Sequence, residues 1–287
     1  MFRSVIDILF VGLQHILPAH MLSRIMHRFT RIKVKWIKNA FTRWFVHHFK
    51  IDMTVAEEGD YRAYENFNQF FTRALKKEAR PLSTEKNAIL SPVDGAVSQA
   101  EIIHGNRVFQ AKNHDFTLNT LFGGDDTISD LFVNGLSTTL YLSPRDYHRI
   151  HMPLNGKLTK VIHIPGRLFS VNRVTTHKVP GLFARNERVV CLFDTDAGQM
   201  AMILVGAINV ASIETVWQGE ITPPAGKRIQ TWDYSDKNIS LQAGEEMGRF
   251  NMGSTVLLLF TRDQAKWTDK LIKDAPVNMG ECIGYYQ

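Results

Sequence analysis

Apolar side chains recur at helical spacing through the first fifty residues. Between residues 2 and 17 they return every three or four positions, and Pro18 ends the pattern. Two further segments continue it, carrying Leu22, Ile25, Met26, Phe29 and Ile32, and then Trp36, Ile37, Phe41, Trp44 and Phe45. The pattern predicts a series of amphipathic helices over residues 1–52.

The pattern of apolar positions changes after Ile51. Residues 61–82 place Phe67, Phe70, Phe71 and Leu75 at helical spacing and reach Pro81, which predicts one more helix. From Ala88 onward the apolar runs are short and are separated by Gly, Pro, Asn and Asp, which is typical of strands and turns. These runs are AILSPVDGAVSQAEII, RVFQA, STTLYLS, KLTKVIHI, RVVCLF, MAMILVGAINVASI and STVLLLF.

The order of these patterns predicts an α+β protein. We expect amphipathic N-terminal helices in residues 1–52 and a mainly antiparallel, β-sandwich-like core in residues 53–287. Of the 287 residues, 44% are hydrophobic and 22% are charged, a composition that supports a buried core and excludes a disordered chain. The two cysteines, Cys191 and Cys282, are too few for a disulfide framework and lack metal-site spacing.

Positive charge is concentrated in one strip of the chain. Eight of the 34 Lys and Arg residues lie between His20 and Lys50, and no Asp or Glu occurs from Ile8 through Ile51. The rest of the chain has 26 basic and 28 acidic residues, so the net charge of +6 comes from this strip. Its basic residues are Arg24, Arg28, Arg31, Lys33, Lys35, Lys38, Arg43 and Lys50.

Three interpretations of residues 1–50 are open. The helices pack on the main domain with a solvated basic face, or the segment is an Arg-rich transit peptide, or it is an interfacial anchor with its cations on anionic headgroups. Each Lys or Arg near an anionic surface contributes about 1 kcal/mol. We favour the membrane surface on these features. Nucleic acid is a weaker interpretation, because large apolar residues lie between the charges. No apolar run reaches the roughly 18–20 residues that a bilayer span requires.

Four polar residues stand out in or beside the apolar runs of the core. Asp94 lies in SPVDGAV, His148 and His151 lie in YLSPRDYHRIHMP, and Ser254 lies in NMGST, just before VLLLF. Each also has an ordinary structural interpretation: a turn aspartate, a satisfied histidine or a strand-edge hydroxyl. The two histidines lack the Glu of an H-E-x-x-H frame and a nearby Cys, so we expect no metal site.

An Asp, a His and a Ser together are the parts of an activated hydroxyl. A serine esterase is one hypothesis, although Met252 and Val256 occupy the positions where a nucleophile elbow carries Gly. In a second hypothesis, Ser254 attacks the carbonyl of Gly253, which has no side chain to shield it and tolerates strained backbone angles. A membrane adaptor without enzymatic activity is the third.

Eight blocks, in order along the chain, carry a resemblance to a known family. They are FNQFFTRALKKEARPL, SPVDGAVSQ, QAKNHDFTL, YLSPRDYHRIHMP, PGRLFSVN, LFARNERVV, VGAINVASI and MGST. Over essentially its full length the chain resembles the bacterial phosphatidylserine decarboxylases, which are pyruvoyl enzymes. Met252 stands where that family more often has Leu, a change that conserves side-chain volume.

The resemblance implies a proenzyme that cleaves itself. Asp94 would orient the imidazole of His151, and His151 would take the proton of the Ser254 hydroxyl. The hydroxyl oxygen would attack the Gly253 carbonyl and break the chain into residues 1–253 and 254–287. Ser254 would then become a covalent pyruvoyl group, the cofactor of the enzyme.

The resemblance also implies the reaction that follows. The amine of phosphatidylserine would form a Schiff base with the pyruvoyl group, and decarboxylation with His148 as acid/base would give phosphatidylethanolamine. Residues 53–287 would be the catalytic domain, and residues 1–52 would hold the protein peripherally on the cytoplasmic side of the cell membrane. The expected partners are this anionic surface and the two cleaved chains for each other. A homodimer is compatible with the sequence, and nucleic acid is not expected. The alternative function is a membrane-associated serine esterase acting on lipids.

Overall fold

The architecture is α+β, as predicted from the order of the sequence patterns. It is seen in a computed structural model that describes residues 7, 11–111, 114–208, 212–223, 227–253 and 255–287, with the backbone only at residue 173. Short helices come first, and antiparallel strands make up most of the remainder.

Most of the helices are short. Residues 11–16 are helical, and a 3-10 helix covers Lys77–Ala79. The α-helices are α1 Ala19–Thr30, α2 Lys35–Phe49, α3 Phe67–Phe71, α4 Leu118–Leu121, α5 Asp126–Leu131, α6 Arg173–Lys178 and α7 Leu182–Arg185.

Each apolar run found in the sequence contains all or part of a strand, and further short strands lie outside these runs. They are β1 Ala88–Leu90, β2 Gly95–Ile102, β3 Arg107–Ala111, β4 His114–Thr117, β5 Leu136–Tyr141, β6 Arg149–His151, β7 Gly156–Ile164, β8 Arg188–Thr195, β9 Gly198–Val205, β10 Ile213–Thr215, β11 Gly219–Glu220, β12 Gln230–Asp233, β13 Ser240–Leu241, β14 Glu246–Phe250, β15 Thr255–Phe260, β16 Ala265–Trp267, β17 Pro276–Val277 and β18 Cys282–Tyr286.

The largest sheet has nine strands and only antiparallel pairings. Its order is β12-β7-β8-β9-β15-β5-β2-β17, with β13 also paired to β7. A four-stranded sheet has the order β11-β10-β14-β6, and a three-stranded sheet has the order β1-β18-β16. Strand β14 of the four-stranded sheet is followed directly by β15 of the large sheet. The link between them, residues 251–254, therefore passes from one sheet to the other.

Strand β15 lies inside the large sheet and is buried along its whole length. All six of its residues are buried, and it pairs with β9 on one edge and β5 on the other. A continuous apolar run is expected when both faces of a strand are covered. The sequence VLLLF therefore reflects a position at the centre of the main core.

The predicted helix over residues 61–82 is wrong. Only α3 and the 3-10 helix form there, and residues 61–66 are turns. Lys38 of α2 donates its ammonium hydrogens to the carbonyls of Tyr61 and Arg62, which a helix would have used internally. The Asn66 side chain accepts from the backbone N–H of Gln69 and so fixes the start of α3 instead.

The N-terminal helices pack on the rest of the protein. Phe45 of α2 joins Ile51 and the three phenylalanines of α3 in a second core, here called the aromatic cluster: Phe45, Ile51, Phe67, Phe70 and Phe71. Ion pairs reinforce the contact, because Arg31 pairs with Glu220 and Lys33 lies 2.5 Å from Glu65. Of the predicted membrane aromatics, Phe45 therefore faces inward.

Much of the apolar surface of the N-terminal helices nevertheless faces solvent. The side chains of Ile16 and Trp36 are 83% and 74% exposed, and Trp44 is 53% exposed. Leu13, Met21, Ile25 and Val34 are exposed as well. Among the described residues, no helix is both long enough and apolar enough to cross a bilayer.

Candidate active site

The link between β14 and β15 contains the predicted cleavage position. Ser254 itself lies outside the described residues. Met252, two positions earlier, has a φ of 147°, a value that L-residues with side chains rarely adopt. Backbone strain of this kind concentrates at functional sites. The sequence predicts strained backbone angles at Gly253, whereas the unusual φ lies one residue earlier, at Met252.

Asn251 anchors the start of this link through hydrogen bonds on several sides. Its backbone N–H donates to the Ser212 carbonyl at 2.9 Å, and its side-chain amide donates to the Ser212 hydroxyl at 2.5 Å and to Glu220 at 3.3 Å. Its amide oxygen accepts from Asn68 at 3.0 Å. Glu220 also pairs with Arg31, the residue that follows α1. Polar contacts therefore extend from the end of α1 to Asn251.

His148 faces Gly253. A Cβ atom placed on Gly253 would overlap Nε2 of His148, so only glycine fits at this approach. Nδ1 of His148 lies 2.8 Å from the carbonyl oxygen of Asp146, which can only accept, so Nδ1 carries the hydrogen. In the neutral ring, Nε2 therefore keeps a lone pair, and it has no hydrogen-bond partner among the described residues.

The surroundings of His148 keep its ring neutral. The side chain is fully buried, and the Phe71 ring lies 4.1 Å away, centroid to centroid. Burial, followed by the positive charge of Arg73, lowers the pKa of His148 to about 3. The ring is therefore uncharged at neutral pH, and its Nε2 is unprotonated.

His151 has both ring nitrogens occupied. Its Nδ1 donates to the Gly244 carbonyl at 2.7 Å, and its Nε2 accepts from the Tyr147 hydroxyl at 3.0 Å. Burial lowers the pKa of His151, against an opposing effect of the hydrogen bond to Gly244. Burial also raises the pKa of Tyr147 far above its usual range, so this hydroxyl remains a donor.

Asp94 is held by an arginine and a backbone amide. Arg80 donates to both carboxylate oxygens, at 2.8 Å from Nε and 2.5 Å from Nη2, and the N–H of Met279 donates at 2.8 Å. Asp94 and His151 share no hydrogen bond. The backbone N–H of His151 does donate to the carbonyl of Pro92, which keeps β6 beside the turn that carries Asp94.

An apolar cavity of about 270 Å³ connects the N-terminal helices with Gly253. Trp44, Phe45 and Phe49 of α2 line one side of it. Phe71, Tyr141, Leu142, Met252 and Gly253 are among the residues on the other sides. An apolar molecule lying against α2 would therefore have a path to the predicted cleavage position.

The structure thus brings His148 to Gly253 and places His151 and Asp94 on neighbouring backbone segments. Sequence reasoning missed three residues that hold them: Arg80, Tyr147 and Gly244. Arg80 and Tyr147 lie within blocks that carry the family resemblance, and Tyr147 directly precedes His148. Gly244 is 93 residues from His151 in sequence, so no local pattern indicated their contact.

Comparison with known proteins identifies the family of the chain. The family model described as phosphatidylserine decarboxylase matches residues 67–285, and a second, described as PSD, matches residues 9–50. A phosphatidylserine decarboxylase proenzyme of Azotobacter vinelandii is 53% identical over 281 residues, which cover 97% of this chain and 98% of that protein. One of Pseudomonas fluorescens is 52% identical over 279 residues, covering 96% of each chain.

These matches define the class of the protein: it is a decarboxylase. The family model covers most of the chain, and the relatives align over nearly its full length. The chain belongs to the phosphatidylserine decarboxylase family.

Proposed function

We propose that this chain cleaves itself between Gly253 and Ser254 and then decarboxylates phosphatidylserine to phosphatidylethanolamine. The observation that carries the proposal, together with family membership, is the buried lone pair of His148 Nε2 directed at Gly253. A buried polar atom normally has a hydrogen-bond partner, so this nitrogen indicates a partner that is still to be supplied. The group formed from Ser254 would be that partner.

Self-cleavage is assigned to Asp94, His151 and Ser254. The Nδ1–H of His151 is fixed by Gly244, so Nε2 keeps the lone pair that a base requires. Asp94 favours the protonated form of His151 through its charge rather than through a hydrogen bond. The Ser254 oxygen attacks the Gly253 carbonyl and converts the peptide bond to an ester. β-Elimination then releases residues 1–253 with a free carboxylate and leaves dehydroalanine at position 254. Addition of water and loss of ammonia would convert this residue to pyruvoyl.

The surroundings fit a pyruvoyl group at position 254. Gly253 leaves room beside His148, and strand β15 would hold the group at the edge of a rigid core. A pyruvoyl group would supply an electron-accepting carbonyl that reacts with the substrate amine. His148 would first take a proton from the substrate ammonium on Nε2 and then return it to the α-carbon, because this nitrogen has no competing partner among the described residues.

We infer that residues 1–52 hold the catalytic domain, residues 53–287, on the cytoplasmic face of the cell membrane. The support is the exposed Ile16, Trp36 and Trp44 side chains beside cations that have no ion pair in the described part of the chain. Those cations are Arg24, Arg28, Lys35 and Arg43. The apolar cavity from α2 to Gly253 would then open toward the lipid.

A mass spectrum of the denatured protein tests the proposed function. We expect a break between Gly253 and Ser254 and a 34-residue fragment, 254–287, that resists Edman degradation and reacts with hydroxylamine. A Ser254→Ala variant is the matched control and should stay intact. A free serine at the start of the fragment would indicate ordinary proteolysis. An intact wild-type chain labelled by a fluorophosphonate would support a serine esterase instead.

A further inference from the structure

Arg73 is a buried cation that forms no ion pair with any residue the structure describes. It lies two residues after α3 and its side chain is 3% exposed. Its guanidinium lies over the Phe70 ring, 5.5 Å from the centroid, and Nη2 is 3.5 Å from the Arg145 carbonyl, at the limit of hydrogen bonding. Nε and Nη1 have no hydrogen-bond partner within the described ranges.

Two other buried or half-buried arginines show how this protein normally satisfies such groups. Arg80 holds Asp94 with two hydrogen bonds, and Arg188 donates to three backbone carbonyls at 2.6 to 2.8 Å. A guanidinium stays charged at any ordinary pH, and an unpaired buried charge is strongly unfavourable. Arg73 therefore lacks the anion that a buried guanidinium requires, and an anionic ligand would supply it.

Arg73 lines a cavity of about 740 Å³ that borders the candidate active site. Tyr141 and Tyr147 also line it, and they connect it to the site, because Tyr141 pairs with Thr255 of β15 and Tyr147 bonds His151. The cavity is large enough for a lipid headgroup, and charged and polar side chains form part of its lining.

The acidic groups that line this cavity leave Arg73 without a partner. Asp94 is held by Arg80, Asp146 accepts from the N–H and hydroxyl of Ser143, and Asp52 accepts from Thr54. Asp274 is exposed and forms no ion pair in the described part of the chain. Lys50 and Arg145 add positive charge at the same cavity.

We propose that Arg73 binds the phosphodiester of the lipid headgroup. The inference rests on the proposed function, since it concerns the position of the same substrate. A cation on the substrate carboxylate would stabilise the group that must leave as CO2 and would oppose the reaction. The phosphodiester is unchanged between substrate and product, so an arginine on it holds the headgroup at no cost to the chemical step.

Direct binding tests this assignment without turnover. We would measure the affinity of the cleaved wild-type protein, R73Q, R73K and K77Q for glycerophosphoethanolamine by calorimetry. Charge-assisted hydrogen bonds to one guanidinium predict an affinity about 10- to 100-fold weaker in R73Q and a smaller loss in R73K. Lys77 is exposed, lies four residues away and does not line the cavity, so K77Q controls for net charge and should bind like the wild type.

Kinetics give a second measure. With a dispersed short-chain phosphatidylserine, R73Q should raise KM by the same factor and change kcat little, because the contact is equal in ground and transition states. A loss of kcat at unchanged KM would overturn the assignment. So would undiminished binding of glycerophosphoethanolamine to R73Q, or a defect confined to glycerophosphoserine, which would place Arg73 on the carboxylate.

Two further outcomes are separable. Wild-type binding of inorganic phosphate but not of glycerophosphoethanolamine would overturn the lipid assignment in favour of a free-phosphate site. If R73Q does not fold, as judged by thermal unfolding, the comparison of R73K with K77Q decides: equal affinities would overturn the proposal. An uncut wild-type chain would refute the proposed function, yet the binding measurement would still report on Arg73.

Discussion

At the scale of single residues, the site depends on which nitrogen of each histidine carries the hydrogen. A backbone carbonyl fixes Nδ1–H in both His148 and His151, so both rings present the lone pair of Nε2. The two Nε2 atoms differ in the groups that lie next to them. His151 receives the Tyr147 hydroxyl, whereas His148 faces Gly253. This difference is consistent with our proposal that His151 serves cleavage and His148 serves turnover.

Substitutions should separate these roles. We expect His151→Ala and Asp94→Ala to leave mostly uncut chain, with cleavage slowed about 10⁴-fold, because the nucleophile loses its base or the charge that assists it. His148→Ala should still cut but decarboxylate about 10²- to 10⁴-fold more slowly. Denaturing electrophoresis measures the cut, and release of CO2 measures turnover.

Tyr147→Phe is the matched control, because it removes only the hydroxyl that occupies His151 Nε2. Cleavage should persist in this variant. If His148→Ala failed to cut while His151→Ala cut normally, the two roles would be reversed.

The buried His148 ring also predicts how stability depends on pH. Its pKa is about 3 in the folded chain, against an ordinary value of about 6.5. Between these values the unfolded chain binds a proton that the folded chain does not, so the free energy of unfolding falls as the pH drops below about 6.5. Above about 6.5 this effect is absent.

Chemical denaturation at pH 7 and pH 5 measures the effect. In a Ser254→Ala background, which keeps every sample uncut, the chain with His148 should lose about 2 kcal/mol more than His148→Gln over this interval. Equal losses in the two proteins would mean that the ring is accessible to protons in the folded state.

At the scale of secondary structure, the strands followed from the sequence much better than the helix over residues 61–82. A run such as RVFQA becomes a strand wherever it is buried, and it appears unchanged as β3. Residues 61–66 do not form a helix, because Lys38, more than twenty residues earlier, donates hydrogen bonds to the carbonyls of Tyr61 and Arg62. Arg80 on Asp94 and Gly244 on His151 are contacts of the same kind. Local patterns identify the chemical groups, while distant residues determine their partners.

The cations of the N-terminal helices that form no ion pair in the described part of the chain should contribute to binding of anionic membranes. Replacing Arg24, Arg28, Lys35 and Arg43 with Gln should weaken binding to anionic vesicles by about a hundredfold or more at low salt. The salt dependence should also flatten, because only charge attraction is screened. Vesicle co-sedimentation over a range of salt concentrations measures both effects, and self-cleavage should survive.

A second variant with the same loss of charge provides the control. Lys86, Lys237, Lys266 and Lys270 are exposed and lie outside the N-terminal helices, so their replacement with Gln should alter vesicle binding much less. Equal loss of binding in both variants would attribute the effect to net charge rather than to these helices. Loss of cleavage in the first variant would show that the helices support the fold of the site.

At the scale of the whole molecule, the two sheets and the N-terminal helices meet at the link between β14 and β15. Asn251 follows the last residue of β14 in the four-stranded sheet, and Thr255 is the first residue of β15 in the nine-stranded sheet. Helices α2 and α3 contribute the aromatic cluster, against which Met252 packs. Arg31 of the N-terminal region reaches the same point through Glu220 and Asn251. Residues that are far apart in the sequence therefore lie close together at this link.

The central position of β15 has a consequence for the fragments that a cut at Gly253 would produce. All six residues of β15 pair with β9 and with β5, while β18, also from the smaller fragment, lies between β1 and β16. The smaller fragment could not leave without removing a central strand from the core of the larger one. A small fragment set free would expose a flat apolar strand of the kind that aggregates. The covalent break is chemically irreversible, yet the folded body would keep its shape across it.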